Sequence, residues 1–301
     1  MGSKFLFVVM VVVPPLVLVL YPETSIRHLI RSDAGGIQQP GPGLPTAPQR
    51  RVDTTMPKVE GRILKVSGEK DLQAALQEAR PGDEVLLKAG AEFRGSFVLP
   101  KKENTGSGAS AKWIIIASDQ SPSKTPPGTR VTPAVAGQFP KLVSTNAEPT
   151  LRAAAGAGYY RLVGIELTIA PSVKISYGIV RLGEGSEGSI DQLPHDILID
   201  RCYVHGLPSA NVRRGIALNC AASAVIDSWV SDCHEAGADS QAICCWNGPG
   251  PFEISDNYLE AAGENVMFGG ADPAIPNLIP SDITFTRNYC RKPLEWRTAG
   301  S

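Results

Sequence analysis

Two apolar ladders recur through the second half of this 301-residue chain, and they constrain its fold more than any other feature. Each ladder is a set of short apolar runs, and each run is followed by a polar turn. The first ladder has these runs: Gly178–Gly183, Gly215–Asn219, Gln241–Asn247 and Glu264–Gly270. The second ladder has these: Arg161–Leu167, Asp196–Val204, Ala224–Val230, Phe252–Leu259 and Asp282–Cys290. Repeats of this kind predict a β-solenoid in which each repeat adds one coil.

The hydrophobic pattern of the ladders predicts which residues share a position on neighbouring coils. The first ladder aligns Ile179, Ile216, Ile243 and Val266. The second ladder aligns Ile165, Cys202, Ser228, Asn257 and Asn288. Asn257 and Asn288 each precede a tyrosine. Stacked asparagine side chains satisfy backbone groups in turns, so we expect a structural ladder here.

The composition suits a chain with a substantial buried core. Hydrophobic residues make up 43% of the sequence and charged residues only 20%, which is not the composition of a disordered protein. The 29 Lys and Arg residues nearly balance the 30 Asp and Glu residues. Because no excess of positive charge attracts a phosphate backbone, nucleic acid is not an expected partner.

The N-terminal part of the chain differs from the rest. Residues 5–21 form an apolar run, so residues 1–24 are predicted to be an export signal or a membrane anchor. Residues 25–58 are rich in Pro and Gly and are predicted to be a linker. Residues 59–301 are predicted to form the solenoid domain, which we expect to be incomplete at its C-terminus because no capping segment follows the last run.

Six cysteines lie in the predicted domain, at positions 202, 220, 233, 244, 245 and 290. An exported protein can pair them in disulfides. Cys202 and Cys290 fall inside strand runs, however, where a buried thiol is a small apolar filler. The sequence favours buried free thiols and leaves pairing as the alternative. The sequence contains no CxxC or HxxxH spacing, so it does not predict a zinc site.

A short helix is predicted before the first strands. Four apolar residues follow helical spacing: Leu72, Ala75, Leu76 and Ala79. The Pro81–Gly82 pair ends this helix, and short strand runs with glycine turns follow. This is the order expected of a helix that caps the open end of a solenoid.

The segment Leu72–Leu87, with Gly90 and the Phe93–Gly95 turn, resembles the N-terminal cap and first coil of the pectate-lyase-like right-handed parallel β-helix superfamily, which includes alginate lyases and chondroitinases. Segments between Arg213 and Pro273 resemble exported bacterial proteins of the same architecture. The resemblance implies an all-β fold, a right-handed single-stranded parallel β-helix with a short N-terminal capping α-helix. It implies no particular substrate.

Polar residues precede successive strands of the first ladder, and equivalent positions on neighbouring coils lie about 4.8 Å apart. The resulting stripe contains Arg213, Arg214, Asp239, Gln241, Glu264 and Asn265. Arginine pairs with a uronic carboxylate through two parallel hydrogen bonds, so the stripe suits an acidic sugar. Stacked polar residues also occur in solenoids as a purely structural ladder, and the sequence leaves that alternative open.

The leading hypothesis is β-elimination on a uronic-acid polymer. A cation neutralises the carboxylate, the adjacent C–H bond becomes acidic, and a base removes the proton. We assign carboxylate binding to Arg213 and Arg214, and the base to His205 or Lys174. A histidine hydrogen-bonded to its own turn is the simpler interpretation of His205.

The remaining candidate residues belong to the same stripe or lie beside it. Asp239 and Glu264 are candidate ligands of Ca²⁺, which prefers oxygen ligands. The candidate substrate-binding residues are Gln241, Trp246, Asn247 and Asn265. Trp246 precedes a rigid Pro- and Gly-rich turn and offers a sugar an aromatic surface if it faces outward.

The sequence therefore predicts an exported or envelope-anchored protein that acts on an extracellular acidic polysaccharide. We expect a monomer that contacts the membrane only through its N-terminal segment. One alternative is a non-catalytic carbohydrate-binding or adhesive module. A second is a glycoside hydrolase, for which the densest acidic group is Asp232, Glu235 and Asp239, with His234 among them.

Overall fold

The computed structural model describes residues 46–68, 71–104, 106, 108–120 and 126–297. The predicted export signal or anchor, residues 1–24, lies outside these ranges, and so does most of the predicted linker. No helix within the described ranges is long and apolar enough to cross a membrane.

Short strands are the main regular structure of the described chain, and every pairing between them is parallel. In chain order the elements are β1 (Ile63–Val66), α1 (Asp71–Glu78), β2 (Glu84–Leu87), β3 (Glu92–Arg94), β4 (Phe97–Leu99), β5 (Ile114–Ser118), α2 (Pro133–Ala136), β6 (Lys141–Ser144), β7 (Leu151–Ala153), β8 (Gly158–Val163), β9 (Glu166–Ile169), β10 (Ile175–Ser176), β11 (Val180–Leu182), β12 (His195–Asp200), β13 (Tyr203–His205), β14 (Asn211–Val212), β15 (Arg214–Leu218), β16 (Ser223–Ile226), β17 (Trp229–Cys233), β18 (Gln241–Cys245), β19 (Phe252–Ser255), β20 (Tyr258–Ala261), β21 (Glu264–Phe268), β22 (Ile283–Thr286) and β23 (Tyr289–Arg291). Single 3₁₀ turns cover Gly108–Ser110, Ile190–Gln192 and Leu294–Arg297.

The strands form three long sheets. Sheet A has the order β1-β2-β5-β8-β12-β16-β19-β22, sheet B β23-β20-β17-β13-β9-β6-β3, and sheet C β21-β18-β15-β11-β7-β4, while β10 and β14 pair separately. From β2 onward the chain visits sheets A, B and C in turn, and neighbours within each sheet are one coil apart. This is a parallel β-helix, with the right-handed coiling that parallel crossover connections adopt. The predicted fold class and the resemblance in fold are confirmed.

Each run of the second ladder proves to be two strands in two sheets. The run Arg161–Leu167, for example, bends at Gly164 and continues from sheet A into sheet B. The predicted column across this bend is confirmed: backbone N–H groups of Cys202, Ser228 and Asn257 each donate to the side-chain oxygen one coil further on. The asparagine ladder is therefore structural.

The register predicted for the first ladder is correct for three members and wrong for one. Ile216, Ile243 and Val266 are paired as expected, but Val180 rather than Ile179 lies opposite Ile216. Ile179 and Val180 are both fully buried apolar residues. Hydrophobicity therefore does not distinguish the two registers at this coil, and only the backbone pairing does.

Left-handed residues form both corners of sheet A. Positive φ angles occur at or just before the start of its strands, at Tyr159, Asp196, Ala222 and Asp282, and just after them at Gly164, Arg201, Asp227, Asp256 and Arg287. Only one of these nine residues is glycine, although the left-handed conformation costs other residues about 1–2 kcal/mol each. The stacking of equivalent residues on neighbouring coils, rather than glycine, therefore maintains these corners.

Replacing Asn257 with alanine is expected to lower the free energy of unfolding by about 3 kcal/mol, measured by urea denaturation. Asn257 is fully buried, and its Nδ2 donates to the Val225 carbonyl at 2.7 Å while its Oδ1 accepts from Ser228 N at 2.9 Å. Truncation leaves both backbone groups without these partners. Asn211→Ala, which removes an exposed turn contact to Ala236 N, is the control and should cost under about 1 kcal/mol. Equal losses in the two variants would contradict a structural ladder.

Helix α1 caps the first coil, as predicted. Its apolar residues are buried against the core: Leu72, Ala75, Leu76 and, just beyond its end, Ala79. Gln73 also satisfies the free edge of sheet C, because its Oε1 accepts from Val98 N at 2.8 Å and its Nε2 donates to Val98 O at 3.1 Å. The helix thus covers apolar side chains and an unpaired strand edge together.

The last part of the predicted linker belongs to the folded unit, which begins at Ala47. Residues 47–60, here called the strap, cross the outer face of sheet A. Gln49 N and Arg50 bond to Asp282 at one end, and Gly61 N, just beyond the strap, bonds to Gly82 O at the other. A polar, Pro-rich composition predicts a linker. It does not reveal that side chains of sheet A bond to the backbone of the strap.

The cysteines are free thiols, and all except Cys290 are buried. Burial raises the pKa of the Cys202 and Cys220 thiols to about 12. A thiol with so high a pKa is a packing residue and not a nucleophile.

Candidate functional site

Arginines from neighbouring coils share the outer face of sheet C. Alternation in the short strands β7 and β11 buries the flanking residues and turns Arg152 and Arg181 outward. These two arginines are direct register partners, and Ala217 of β15 continues their row. Because adjacent strands lie about 4.8 Å apart, the two guanidinium groups can contact one ligand.

The predicted stripe runs beside this row. Arg214, Gln241 and Glu264 are register partners on three consecutive coils, as the sequence indicated. Gln241 Nε2 donates to Glu264 Oε2 at 2.8 Å. We call Arg152, Arg181, Arg214, Gln241, Glu264 and Trp246 the arginine face.

Arg214 turns away from Gln241 and lies over Trp246. Its guanidinium carbon is 4.9 Å from the centre of the indole, a distance that favours a cation–π contact. Trp246 therefore faces outward, half-buried, and its Nε1 donates to Gly185 O at 3.3 Å. A Cβ at Gly185 would lie 2.4 Å from the indole, so only glycine lets this loop cover the ring.

Buried polar atoms on this side of the molecule lack partners. They are Arg214 Nε, Gln241 Oε1 and Asn219 Nδ2; within the described residues His234 Nε2 is the remaining such atom. Asn219 Oδ1 is satisfied, because it accepts from Trp246 N and Asn247 N. Unpaired buried polar atoms are costly and rare, and they mark positions that water or a ligand hydroxyl can satisfy.

The guanidinium of Arg213, which was predicted to bind a substrate carboxylate, is paired with a carboxylate of the protein itself. Its Nε and Nη2 donate to the two carboxylate oxygens of Glu235 at 2.7 and 2.8 Å, and this pairing raises the pKa of Arg213. Its guanidinium also lies 5.2 Å from the ring centre of Tyr177. Tyr177 is 51% exposed at the edge of sheet C, and we assign Arg213 the role of holding this ring in place.

Neither predicted base lies on the arginine face. His205 lies on sheet B, where Nε2 is 3.0 Å from Glu166 Oε1 and Nδ1 is 2.7 Å from Gly206 O. Its ring also stacks on Tyr203. Lys174 lies in an exposed turn between sheets B and C and donates to Pro171 O. These contacts are those expected from the simpler interpretation of His205, a histidine hydrogen-bonded to its own turn.

Two of the predicted substrate-binding residues bond to backbone groups of neighbouring segments instead. Asn247 is fully buried; its Nδ2 donates to Glu187 O, and its Oδ1 accepts from Ile275 N. Asn265 Nδ2 donates to the carbonyls of Leu259 and Arg291. Because these amide groups are occupied by backbone partners, we remove both residues from the candidate site.

The predicted Ca²⁺ ligands do not belong to a larger cluster of metal-binding side chains in the described part of the chain. Within the described ranges, no group of three or more His, Cys, Asp and Glu side chains is arranged to hold a metal ion. Asp239 is exposed, and Glu264 accepts from Gln241. Ca²⁺ binding by Asp239 and Glu264 stays a prediction, and no chemical step is assigned to the ion.

The acidic group proposed for a hydrolase is dispersed. Glu235 pairs with Arg213, Asp239 is exposed, and Asp232 approaches a different carboxylate, Glu260, to which its backbone N–H donates at 3.4 Å. Burial, and secondarily the charge of Glu260, raises the pKa of Asp232 above its usual 3.8. The three acids therefore do not face one glycosidic bond.

Replacing Asp232 with asparagine is expected to stabilise the protein at pH 7. The folded-state pKa is raised, so ionisation of Asp232 is less favourable in the folded state, and wild-type stability falls as pH rises through that pKa. Asparagine removes this penalty, and the gain should disappear once the pH falls below about 3.8, where aspartate is protonated in both states. Urea unfolding at several pH values measures the difference, with exposed Asp239→Asn as the control. A gain that persists at low pH would contradict the mechanism.

Comparisons with known proteins concern the fold. No family model and no curated protein matches the sequence. Among solved structures, an alginate lyase from Paenibacillus sp. str. FPU-7 is 15% identical with a TM-score of 0.43, covering 77% of this chain and 75% of that chain. Pectate lyase Pel9A is 13% identical with a TM-score of 0.44, covering 72% of this chain and 52% of its own. A PL6 family alginate lyase is 10% identical with a TM-score of 0.29, covering 80% of this chain and 41% of its own.

Proposed function

We propose that the arginine face binds an acidic extracellular polysaccharide and that the protein, outside the cytoplasm, cleaves it by β-elimination. One observation carries the proposal: Arg152, Arg181 and Arg214 lie on consecutive coils of one outer sheet face. Guanidinium groups bind carboxylates with two parallel hydrogen bonds, so the paired Arg152 and Arg181 with Arg214 beside them suit a polymer with repeated carboxylates.

The arginines retain free bonding capacity. Arg152 forms no hydrogen bond or ion pair within the described residues, and Arg181 uses Nη1 for Glu184 at 2.7 Å. Arg214 Nε is buried without a partner. Because a buried donor without a partner is costly, a ligand oxygen at this position gains more than it would at a solvated arginine.

Tyr177 is the base that best fits the geometry. Its ring lies under the Arg213 guanidinium at the edge of the arginine face, and the residue is 51% exposed. In the proposed reaction an arginine neutralises the uronic carboxylate, and Tyr177 acts as the base that takes the proton from C5. The electron pair forms the C4–C5 double bond, the C4–O bond breaks, and the departing oxygen takes a proton from water.

Arg181→Ala and Arg152→Ala are each expected to weaken binding of alginate or polygalacturonate by about 10- to 100-fold, because each removes a charge-assisted contact. Isothermal titration at low salt measures the affinities, and added salt should weaken wild-type binding. Arg94→Ala is the matched control, since Arg94 is an exposed arginine on sheet B that pairs with Glu92. Equal binding by all these variants would contradict the arginine face.

Elimination has its own readout. Each cleavage leaves an unsaturated sugar end that absorbs ultraviolet light, whereas hydrolysis yields reducing ends without that absorbance. Absorbance that appears with alginate or polygalacturonate supports elimination. Binding without new ends leaves the arginine face in place and refutes cleavage, and the protein is then a carbohydrate-binding module.

A further inference from the structure

A cavity of about 720 Å³ lies between the strap and the outer face of sheet A, away from the arginine face. The strap forms one wall. The floor includes Arg161, Leu198 and Ala222 of sheet A and its corner, and the segment from Gly108 to Trp113 forms the opposite wall. Pockets that bind small molecules are typically about 300–1,000 Å³, so this cavity is large enough for one or two sugar rings.

The strap is fixed over the cavity at both ends and near its middle. Besides the contacts to Asp282 and Gly82, Arg161 Nη1 donates to the carbonyls of Thr54 and Thr55, each at 2.9 Å. Arg161 is itself held by Asp200, to which its Nε and Nη2 donate at 3.1 and 2.7 Å. Because this arginine is almost completely buried, the cavity is a built feature of the fold.

Charged side chains of both signs surround the cavity: Arg51, Lys58, Lys112 and Arg161 are cations, and Asp53, Glu60 and Asp196 are carboxylates. Lys112 Nζ is 3.2 Å from Glu60 Oε2, and Asp196 Oδ2 is 2.7 Å from His195 Nδ1. Asp53 Oδ1 accepts from Thr55 N at 2.9 Å. A ligand of either charge would meet side chains of its own sign. An uncharged ligand that both donates and accepts hydrogen bonds fits the lining without doing so.

An aromatic ring completes the lining. Trp113 is half-buried, lines the cavity and meets Tyr159 edge to face with ring centres 5.7 Å apart. An indole presents a flat apolar surface beside polar groups. The carbon-bound hydrogens of a pyranose ring match such a surface, while its hydroxyls match the polar walls.

We propose that this cavity binds an uncharged sugar unit of one or two pyranose rings, packed against Trp113 and enclosed by the strap. The ligand is a neutral saccharide, whereas the arginine face is proposed to take an acidic polymer. The two sites lie on different sheets, and this inference does not depend on cleavage or on acidic substrates.

The test is isothermal titration of the full chain with four neutral disaccharides: cellobiose, maltose, mannobiose and diacetylchitobiose. At least one should bind, and Trp113→Ala should weaken that binding at least about 10-fold, which is the effect of losing about 1.4 kcal/mol of contact. Trp246→Phe, on the arginine face, is the control and should bind the disaccharide as wild type does. Arg181→Ala should do the same while losing acidic-polymer binding.

A second variant distinguishes a loss of ligand contact from misfolding of Trp113→Ala. Ala111 lines the cavity wall, and Ala111→Trp fills space without removing a contact, so it should also abolish disaccharide binding while circular dichroism remains that of wild type. Absence of binding by all four disaccharides at about 10 mM would overturn the proposal. Unchanged binding in the Trp113 and Ala111 variants would overturn it equally, whatever the outcome at the arginine face.

Discussion

Asp200→Ala is expected to lower the free energy of unfolding by about 3–5 kcal/mol, because it leaves two buried arginines without their shared carboxylate. Asp200 is 1% exposed, and Arg161 Nη2 and Arg201 Nη2 both donate to its Oδ2 at 2.7 Å. Arg161 and Arg201 are 2% and 1% exposed. Water cannot reach either guanidinium easily, so the loss of the anion is not compensated by solvation.

Urea unfolding followed by circular dichroism measures this loss. Asp191→Ala is the control, since Asp191 lies in an exposed turn and its removal should change stability by less than about 0.5 kcal/mol. A second consequence is local: Arg161 also holds the strap through Thr54 and Thr55. Amide exchange in the strap should therefore accelerate more than exchange in sheet C. A loss below about 1 kcal/mol would show that the buried arginines are solvated or paired in another way.

The sequence was sufficient to predict the coil because each repeat carries an apolar strand and a polar turn at recurring positions. The number of sheets was not predicted, because the bends at Arg201, Asp227, Asp256 and Arg287 have positive φ without being glycine. A non-glycine residue at a left-handed corner has no distinctive sequence pattern. The same limit explains the register error at Ile179, where two adjacent buried apolar residues fit the column equally well.

For the candidate site, the sequence predicted the position of the stripe better than the roles of its residues. Arg214, Gln241 and Glu264 share a register as expected. Arg213, adjacent in sequence to Arg214, is instead paired with Glu235 on the next coil. A contact between coils depends on turn lengths, which the hydrophobic pattern does not specify.

Arg152, Arg181 and Tyr177 were missed, and Arg181 lies in β11, a three-residue strand like that of Arg152. Arg152 lies in β7, a three-residue strand too short for alternation to be recognised without its partners in sheet C. Tyr177 directly precedes the first run of the first ladder, and its position one residue before Gly178 was the available clue. Its significance comes from the Arg213 guanidinium over its ring, which only the structure reveals.

Tyr177→Phe is expected to reduce turnover of the acidic polymer by about 10²- to 10⁴-fold, the usual contribution of a general base, with little change in polymer affinity. Phenylalanine keeps the ring under Arg213 and removes only the hydroxyl. The rate of formation of unsaturated ends measures turnover, and titration measures affinity. Arg181→Ala should show the opposite pattern. Its affinity for the polymer should fall, so the rate should drop mainly at low polymer concentration.

The control for Tyr177→Phe is Tyr289→Phe, because Tyr289 is an equally accessible tyrosine, 56% exposed, on the outer face of sheet B. Its turnover should equal that of wild type. Glu235→Gln tests the supporting contact: it weakens the pair that holds Arg213 over Tyr177, so turnover should fall less than in Tyr177→Phe, and affinity should stay unchanged. If Tyr177→Phe retained full turnover while Arg181→Ala lost binding, the arginine face would remain the binding site and the base would lie elsewhere.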